Sequence, residues 1–458
     1  MNEQELKELN IKQLEFFRKG LTLQLDFRIE TLNRIKNLII KFEGKLFEAL
    51  HEDLGKPPFE SYASETGVVL QELNLLIRNL KKWAQPKRVY TPLVHFIATS
   101  KFQYEPFGRV LIISPWNYPF QLLFNPLIGA IAAGNCVVAK PSKHAIHTTA
   151  VMTEMINNHF DREYIHIIEG SSEVNQYLLK QKYDYIFFTG SSTVARQVMK
   201  EASNNLTPVS LELGGKNPAI VTADANLKLA AKRILWGKLL NAGQSCVATD
   251  YVLVNSSVKP KLLREMKRYL DKWYGNDSQQ SNDLCRIINR ENTERLQKLI
   301  VPEKTFTGGR SDLEQHYIEP TILDGVADSD PVMQEEVFGP ILPILTFESL
   351  DEAIQKVLDR PRPLALYIFS NSRKKQKTII NKTQSGTVCI NESVMHFINP
   401  YLPFGGIGQS GMGRYHGRYS FETFSYKRPV MKKSNILDIN LRYPPYKNKI
   451  RIIRLFMR

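Results

Sequence analysis

Between Pro106 and Gly215 the chain reads Val110-Leu111-Ile112-Ile113, then Cys136-Val137-Val138-Ala139, Tyr164-Ile165-His166-Ile167-Ile168, Tyr185-Ile186-Phe187-Phe188 and Val209-Ser210-Leu211, with helical stretches in between. These runs are almost continuously apolar instead of alternating, as strands covered on both faces must be. Strand and helix in repetition predict a parallel, doubly wound sheet with right-handed crossovers. After Gly215 the rhythm resumes with Pro218–Val221, 251–254, Ile341–Phe347, 364–369 and Thr387–Ile390. Two such units predict two α/β domains with a ligand cleft between them.

Upstream of this region the pattern is helical. Ile29, Leu32, Ile35, Leu38, Ile39, Phe42, Leu46 and Leu50 recur at three and four, and Gly55 with Pro57 and Pro58 ends that helix. A second helix is expected over 61–83, with Val68, Val69, Leu73, Leu76, Leu80 and Trp83 on one stripe.

At 458 residues the chain is long enough for two to three domains. Its 43% hydrophobic, 10% aromatic and 23% charged residues describe a globular protein. No apolar run approaches the ~18 residues of a membrane span, and the N-terminus has no secretory h-region. Cys136, Cys246, Cys285 and Cys389 have neither disulfide-framework nor metal-ligand spacing, so a reduced, cytoplasmic setting is expected. The formal net charge of +15 is concentrated at the end: residues 427–458 carry ten Lys or Arg and one acid. That distribution describes a basic tail and not a nucleic-acid groove, and no nucleic-acid partner is expected.

Gly406-Ile407-Gly408-Gln409-Ser410-Gly411 spells GxGxxG, but Pro403 and Phe404 precede it and too little chain follows for a βαβ unit. A tight turn closing a site is the expected role. Phe187-Phe188-Thr189-Gly190-Ser191 is the better phosphate candidate, because a strand ends there and a helix starts near Thr193. Taken alone, such a stretch is more often merely a capped turn, and it needs support from elsewhere.

Four further segments carry chemistry: Pro115-Trp116-Asn117-Tyr118-Pro119, Leu211-Glu212-Leu213-Gly214-Gly215-Lys216, Gly243-Gln244-Ser245-Cys246, and Glu335-Glu336-Val337-Phe338-Gly339-Pro340. A cysteine in a polar, glycine-containing loop suits a nucleophile, whereas Cys136 and Cys389 lie in apolar runs suited to packing. In this order the four segments resemble the aldehyde dehydrogenase superfamily over essentially the whole chain. Ser410-Gly411-Met412-Gly413-Arg414-Tyr415-His416-Gly417 and Arg442-Tyr443-Pro444-Pro445-Tyr446 are similar to its class 3 branch of fatty and aromatic aldehyde enzymes.

The resemblance implies an aldehyde dehydrogenase-like α/β fold of two doubly wound domains plus a small oligomerisation arm. Residues 1–85 and 107–214 would bind the dinucleotide, and 215–410 would form the catalytic domain. Residues 86–106 and 411–458 would supply the arm and tail of a homodimer. It further implies that Cys246 attacks the aldehyde, Asn117 and the Cys246 N–H hold the oxyanion, and Glu212 activates the hydrolytic water. The cofactor is NAD or NADP. Lys140 would hold the adenosine ribose beside Ser142, with Gly190, Ser191 and Val194 flanking pyrophosphate and adenine. Glu336 would hold the nicotinamide ribose, Phe338 would wall the ring, and Tyr118 and Phe404 would line the aldehyde tunnel.

Two residues depart from the family pattern. Lys143 stands where a glutamate is common, which removes a repulsion toward the 2′-phosphate and predicts that NADP is accepted. Ala195 replaces a glycine in the phosphate helix, where alanine remains a good helix former.

No metal is expected. His144 and His147 are spaced i, i+3 but have no third ligand nearby in sequence. In the tail, Arg451, Arg454 and Arg458 fall on one helical face, with Ile453, Phe456 and Met457 largely on another. A terminal arm packed on its own or a partner subunit is expected, and weak peripheral contact with the inner membrane face is the competing reading. The rival functions are an acyl-phosphate or coenzyme A-linked reductase, against which Glu212 argues, and a non-catalytic scaffold, against which Asn117, Glu212 and Cys246 together argue.

Overall fold

Strand Arg109–Ile113 is buried at every position and organises the first half of the molecule. Val110 and Ile112 enter a core shared with helices Leu25–Leu54, Gly67–Trp83, Gln121–Ala133 and Ile146–Asn157. Leu111 and Ile113 face the opposite layer, where Leu6, Leu178 and Val198 come from three other helices. A strand covered on both faces has no reason to alternate, which accounts for its uninterrupted apolar sequence. The computed structural model describes residues 2–438 and 440–456.

This strand is the fourth of six in a sheet whose neighbours run Gly411–Met412, Val209–Glu212, Tyr185–Thr189, Arg109–Ile113, Cys136–Lys140 and Ile165–Ile167. The last five are parallel, and the chain order reverses beside Arg109–Ile113. Ligands of such sheets sit outside the carboxyl ends of the strands at that reversal. The second sheet has seven strands, in the order Thr305–Thr307, Thr321–Asp324, Ile341–Phe347, Tyr251–Asn255, Pro218–Val221, Ala365–Phe369 and Thr387–Ile390. All its pairings are parallel except that of Thr305–Thr307. The expected α/β architecture with two parallel sheets is therefore what the chain adopts.

A third, antiparallel sheet joins Lys87–Val89, Ala98–Pro106 and Ser425–Lys433, with the last two strands in register from Ala98 opposite Lys433 to Pro106 opposite Ser425. The first helix is longer than its apolar stripe required, Leu25–Leu54. The second differs in kind from the continuous helix expected over 61–83. Helix Pro58–Ser61 passes through one wide π turn, Tyr62–Thr66, before helix Gly67–Trp83 begins. Gly67 permits that turn, since a Cβ there would stand 2.7 Å from the Tyr62 carbonyl oxygen. The turn buries Glu65 completely, which a regular helix with a single apolar stripe would not require.

In the tail, helix Ile450–Phe456 leaves Ile450, Ile452 and Leu455 exposed together with Arg451 and Arg454. Met457, Arg458 and the side chain of Phe456 lie outside the described residues. Among the described residues no helix is long and apolar enough to cross a membrane.

Candidate active site

Helix Leu227–Leu239 carries the chain toward the Cys246 loop, and the turn between them is unusual. Asn241 and Ala242 both adopt left-handed backbone angles, φ 53° and 52°. Such a conformation costs energy for residues with a Cβ and persists only where the surroundings dictate it. Here the Asn241 N–H donates to Glu60 Oε1 at 2.6 Å, and its side-chain amide donates to the Asn117 carbonyl at 2.7 Å. Gln244 braces the same turn. Its amide donates to the Asn241 and Arg286 carbonyls at 3.0 Å each, and its Oε1 accepts from Ile288 N–H. Asn217 reaches across from the other motif to donate to the carbonyls of Cys246 and Ala248 at 2.7 and 3.1 Å.

This scaffold presents Cys246 at a cavity of about 690 Å³ whose wall is mostly apolar, with Tyr118, Trp236, Leu240, Trp273 and Phe397 among its residues. Tyr118 is thus on the wall. Phe404 is not; it stands one layer behind, its ring edge-on to Phe397 at 5.1 Å and to Tyr415 at 5.7 Å. Asn117 is 2% exposed, and its Nδ2 donates to the Gln244 carbonyl at 3.0 Å. Because a carbonyl only accepts, this bond fixes which end of the amide is the NH₂.

Glu212 ends its strand with both carboxylate oxygens buried and without a hydrogen-bond partner. Gly405 lies close against it, since a Cβ there would stand 2.9 Å from Glu212 Oε1. Burial drives the Glu212 carboxyl well above the ordinary carboxylate range, and Arg414 only partly offsets this. The Cys246 thiol is pushed up as well, first by burial and then by the carboxylates of Glu336 and Glu212. One interior therefore holds the thiol and both carboxylates within electrostatic reach, with Asn117 bonded to the same loop.

A second cavity, about 340 Å³, is lined by Ser192, Gly214, Lys216, Glu336, Arg360 and Arg362 among others. Glu336 Oε1 is buried without a partner, and its other oxygen crowds Gly214 so closely that no Cβ would fit there. Burial and then Asp250 raise the Glu336 carboxyl to about 8. Phe338 has a left-handed backbone, φ 47°, and meets Trp116 edge-on at 5.4 Å. An unpartnered acceptor beside a cavity lined by Gly214 and Gly215 fits a polyhydroxylated ligand such as a dinucleotide ribose.

The remaining cofactor candidates lie along the carboxyl edge of the six-stranded sheet. Lys140 ends its strand 2% exposed, donates to the Pro141 carbonyl at 2.8 Å, and is lowered by burial to about 8. Ser142 Oγ accepts from His144 N–H at 3.3 Å. Lys143 is exposed and acts electrostatically on both Lys140 and His144. The Gly190 N–H is already engaged by the Glu212 carbonyl at 3.1 Å. Ser191 Oγ accepts from Val194 N–H at 3.4 Å and caps helix Ser192–Ser203. The GxGxxG stretch is a turn in which Ser410 Oγ accepts from Ile407 N–H, and it delivers strand Gly411–Met412 to the Glu212 strand. His147 pairs with Glu52 and His144 approaches Asn289, so the two histidines have different partners.

Several site residues gave no signal in the sequence. Lys56, between Gly55 and Pro57, reads as a loop lysine, yet it is fully buried 2.7 Å from Glu65 and 4.4 Å above the Tyr118 ring. Glu65 in turn accepts from Gln121 N–H. Asn241 and Asp250 flank the nucleophile motif and could have been flagged only as polar residues beside an apolar helix and strand.

A cysteine at an apolar cavity, with two buried carboxylates in electrostatic reach on a fold of two mostly parallel sheets, is an arrangement suited to an enzyme of nucleophilic chemistry. The sequence model of the aldehyde dehydrogenase family matches residues 15–430, and the chain belongs to that family. A 4,4′-diaponeurosporen-aldehyde dehydrogenase of Staphylococcus aureus is 47% identical over 445 residues, covering 97% of each chain. Aldehyde dehydrogenase family 3 member B3 of Mus musculus is 44% identical, covering 94% of this chain and 91% of its own. The substrate-bound structure of Staphylococcus aureus AldH superposes with a TM-score of 0.98 at 46% identity, covering 100% of both chains. The chain is accordingly a class 3-like enzyme of aldehyde oxidation. Family members have been solved with NAD+, so a nicotinamide dinucleotide is the cofactor expected of this fold.

Proposed function

We propose that the enzyme oxidises medium or long aliphatic, or aromatic, aldehydes to carboxylates through a thioester on Cys246. The observation that carries this reading is the Cys246 thiol at a roomy apolar cavity, in reach of a Glu212 carboxylate with no structural partner. The Cys246 sulfur, as thiolate, attacks the aldehyde carbon and forms a thiohemiacetal. The Asn117 amide and the Cys246 N–H hold its oxygen, each such donor contributing about 3 kcal/mol in the transition state. A nicotinamide dinucleotide, when bound, supplies a positive charge and accepts the hydride. Glu212 takes a proton from water, which adds to the thioester carbonyl and releases the carboxylate and the thiol. Its raised affinity for a proton suits a base whose ordinary state would be too weak.

For the cofactor we assign Lys140, Ser142 and Lys143 to the adenosine side, Gly190, Ser191 and Val194 to pyrophosphate and adenine, and Glu336 with Phe338 to the nicotinamide half. The exposed ammonium of Lys143 favours acceptance of NADP. Tyr118 lines the aldehyde path, and Phe404 supports it from behind Phe397. Residues 1–85 and 107–214 serve as the dinucleotide domain and 215–410 as the catalytic domain. Residues 86–106 with the C-terminal segment serve as the arm of a homodimer. Exposed Tyr90, Leu93 and Phe96 on the arm, and the one-sided pairing of edge strand Thr387–Ile390, support an interface there. We place the enzyme in the cytoplasm, with its tail packed on protein.

The test is formation of reduced cofactor at 340 nm over a panel of aldehydes. Wild type turns over, Cys246→Ser is inactive, and Glu212→Gln gives a single burst that stalls. Steady turnover by Cys246→Ser would overturn the mechanism.

A further inference from the structure

The segment that carries Glu336 has little regular structure after helix Pro331–Gln334, yet the carbonyls of Val332, Met333, Glu335 and Val337 along it are each held by a cationic side chain. Lys216 Nζ donates to the carbonyls of Val332 and Glu335 at 2.9 and 2.7 Å, and it forms an ion pair with Asp250 Oδ2. Arg360 donates to the Met333 carbonyl at 2.8 Å, and Arg295 to the Val337 carbonyl at 2.8 Å. Asp250 Oδ1 closes the circuit by accepting from Val337 N–H at 2.8 Å. Two of the three donors of Lys216 and one oxygen of Asp250 thus hold this segment, and the third donor and the other oxygen join the two side chains to each other. Both side chains are nearly buried, 11% and 4% exposed.

The two residues have telling positions. Lys216 lies four residues after Glu212, and Asp250 four residues after Cys246. The neighbour of Lys216, Asn217, holds the Cys246 loop through the Cys246 and Ala248 carbonyls, and its Oδ1 accepts from Ala365 N–H. The adjacent pair Lys216-Asn217 therefore ties two different loops to one strand start: the nucleophile loop through Asn217, and the Glu336 segment through Lys216.

We propose that Lys216 and Asp250 are positioning residues that clamp segment 332–337, so that Glu336 is held ready at the mouth of the second cavity for the cofactor ribose. The proposal rests on the reading of Glu336 given above. Glu336 has one oxygen uncommitted and its carboxylate otherwise rests on Gly214 and the Gly215 N–H, so its location is set by that contact and by the backbone that bears it, and that backbone is fixed by the clamp. A misplacement of about 1 Å in such a contact costs up to about a hundredfold in rate. The nucleophile loop, secured by Asn217 and Gln244, does not depend on the clamp.

Hydrolysis of p-nitrophenyl acetate, which needs a nucleophile and no cofactor, separates the two loops. Removing Lys216 alone would strand a buried carboxylate, so the variant of choice is the neutral double substitution Lys216→Met with Asp250→Asn. Arg360→Met, which releases the Met333 carbonyl along with the Asp328 ion pair and the contact over Tyr251 but leaves Lys216 and Asp250 in place, is a milder second variant. The expected result for the double variant is esterase activity within about twofold of wild type, with kcat/KM for the cofactor reduced ten- to hundredfold. Affinity for reduced cofactor, read from its fluorescence, falls in parallel, and the Val337 amide exchanges faster with solvent in the free protein. Arg360→Met shows the same split at smaller amplitude. Equal loss of both activities, or loss of neither, would overturn the clamp. Glu336→Gln keeps the two ideas apart. If it leaves cofactor affinity unchanged, the reading of Glu336 fails and the clamp with it. If it weakens binding while the double variant does not, only the clamp fails.

Discussion

A ribose docking on Glu336 must change the protonation of that residue, and the change can be counted. Burial and Asp250 hold the carboxyl at about 8, so at pH 7 roughly 0.9 of the free protein carries a proton there. Ribose hydroxyls donate best to the carboxylate, so binding favours the ionised form and expels that proton. Cofactor binding should therefore release ~0.9 proton at pH 7 and only ~0.1 at pH 9. Ionising the residue first costs about 1.4 kcal/mol at pH 7, so affinity should improve about tenfold between pH 7 and pH 9. Titration calorimetry in two buffers of different ionisation enthalpy reads the proton count directly, and Glu336→Gln identifies its source. Equal proton release by wild type and Glu336→Gln would refute the reasoning, because the proton would then come from elsewhere.

Other outcomes follow from the same structure. Buried Glu72 accepts from the Gly417 N–H and Ser420 hydroxyl and is raised by burial to about 7. The unfolded chain ionises this group near its ordinary value, so its native stabilisation is complete below about 4.5 and is lost as pH rises through 7. Glu72→Gln avoids that loss, and its Tm advantage over wild type should grow across this window to the equivalent of about 3 kcal/mol; a constant difference would count against the assignment. Lys143→Glu should lower kcat/KM for NADP relative to NAD by about tenfold, and an unchanged ratio would remove Lys143 from the cofactor site. Deleting residues 447–458 should leave co-sedimentation with anionic vesicles at its low wild-type level, and a clear drop from substantial wild-type binding would move the tail from protein to membrane.

Strand content was legible because burial on both faces leaves an unmistakable apolar run, as in Val110–Ile113 and Tyr185–Phe188. The π turn at Tyr62–Thr66 was not, because its cause is a contact between Gly67 and Tyr62 and its consequence a buried Glu65, neither of which perturbs the apolar period. The four chemistry-bearing segments could be found because each has local spelling. Their supports could not. Lys56 meets Glu65 and Asn117 only after the chain folds, and Lys216 meets Asp250 and the Glu335 carbonyl across more than thirty and more than a hundred residues. Phe404 shows the limit from the other side: its sequence position suggested a tunnel wall, and packing put Phe397 in front of it. Local pattern names the reacting atoms, whereas the groups that aim them are recorded only in long-range contacts.

Strand Gly411–Met412 carries a consequence for the order of events at the ribosome. It pairs antiparallel with Leu211 and Glu212 and completes a sheet whose other members all lie before residue 213. Glu212 therefore stays on an open edge while some two hundred further residues are made, and the second sheet is assembled in that interval. Gly405 and Arg414, which set the surroundings of its carboxylate, arrive with the same late segment. A nascent chain stopped between residues 391 and 410 would hold most of both sheets and still present an unpaired strand end, the kind of surface on which chains aggregate. The last tenth of the polypeptide is thus the part that turns a nearly finished fold into a closed one.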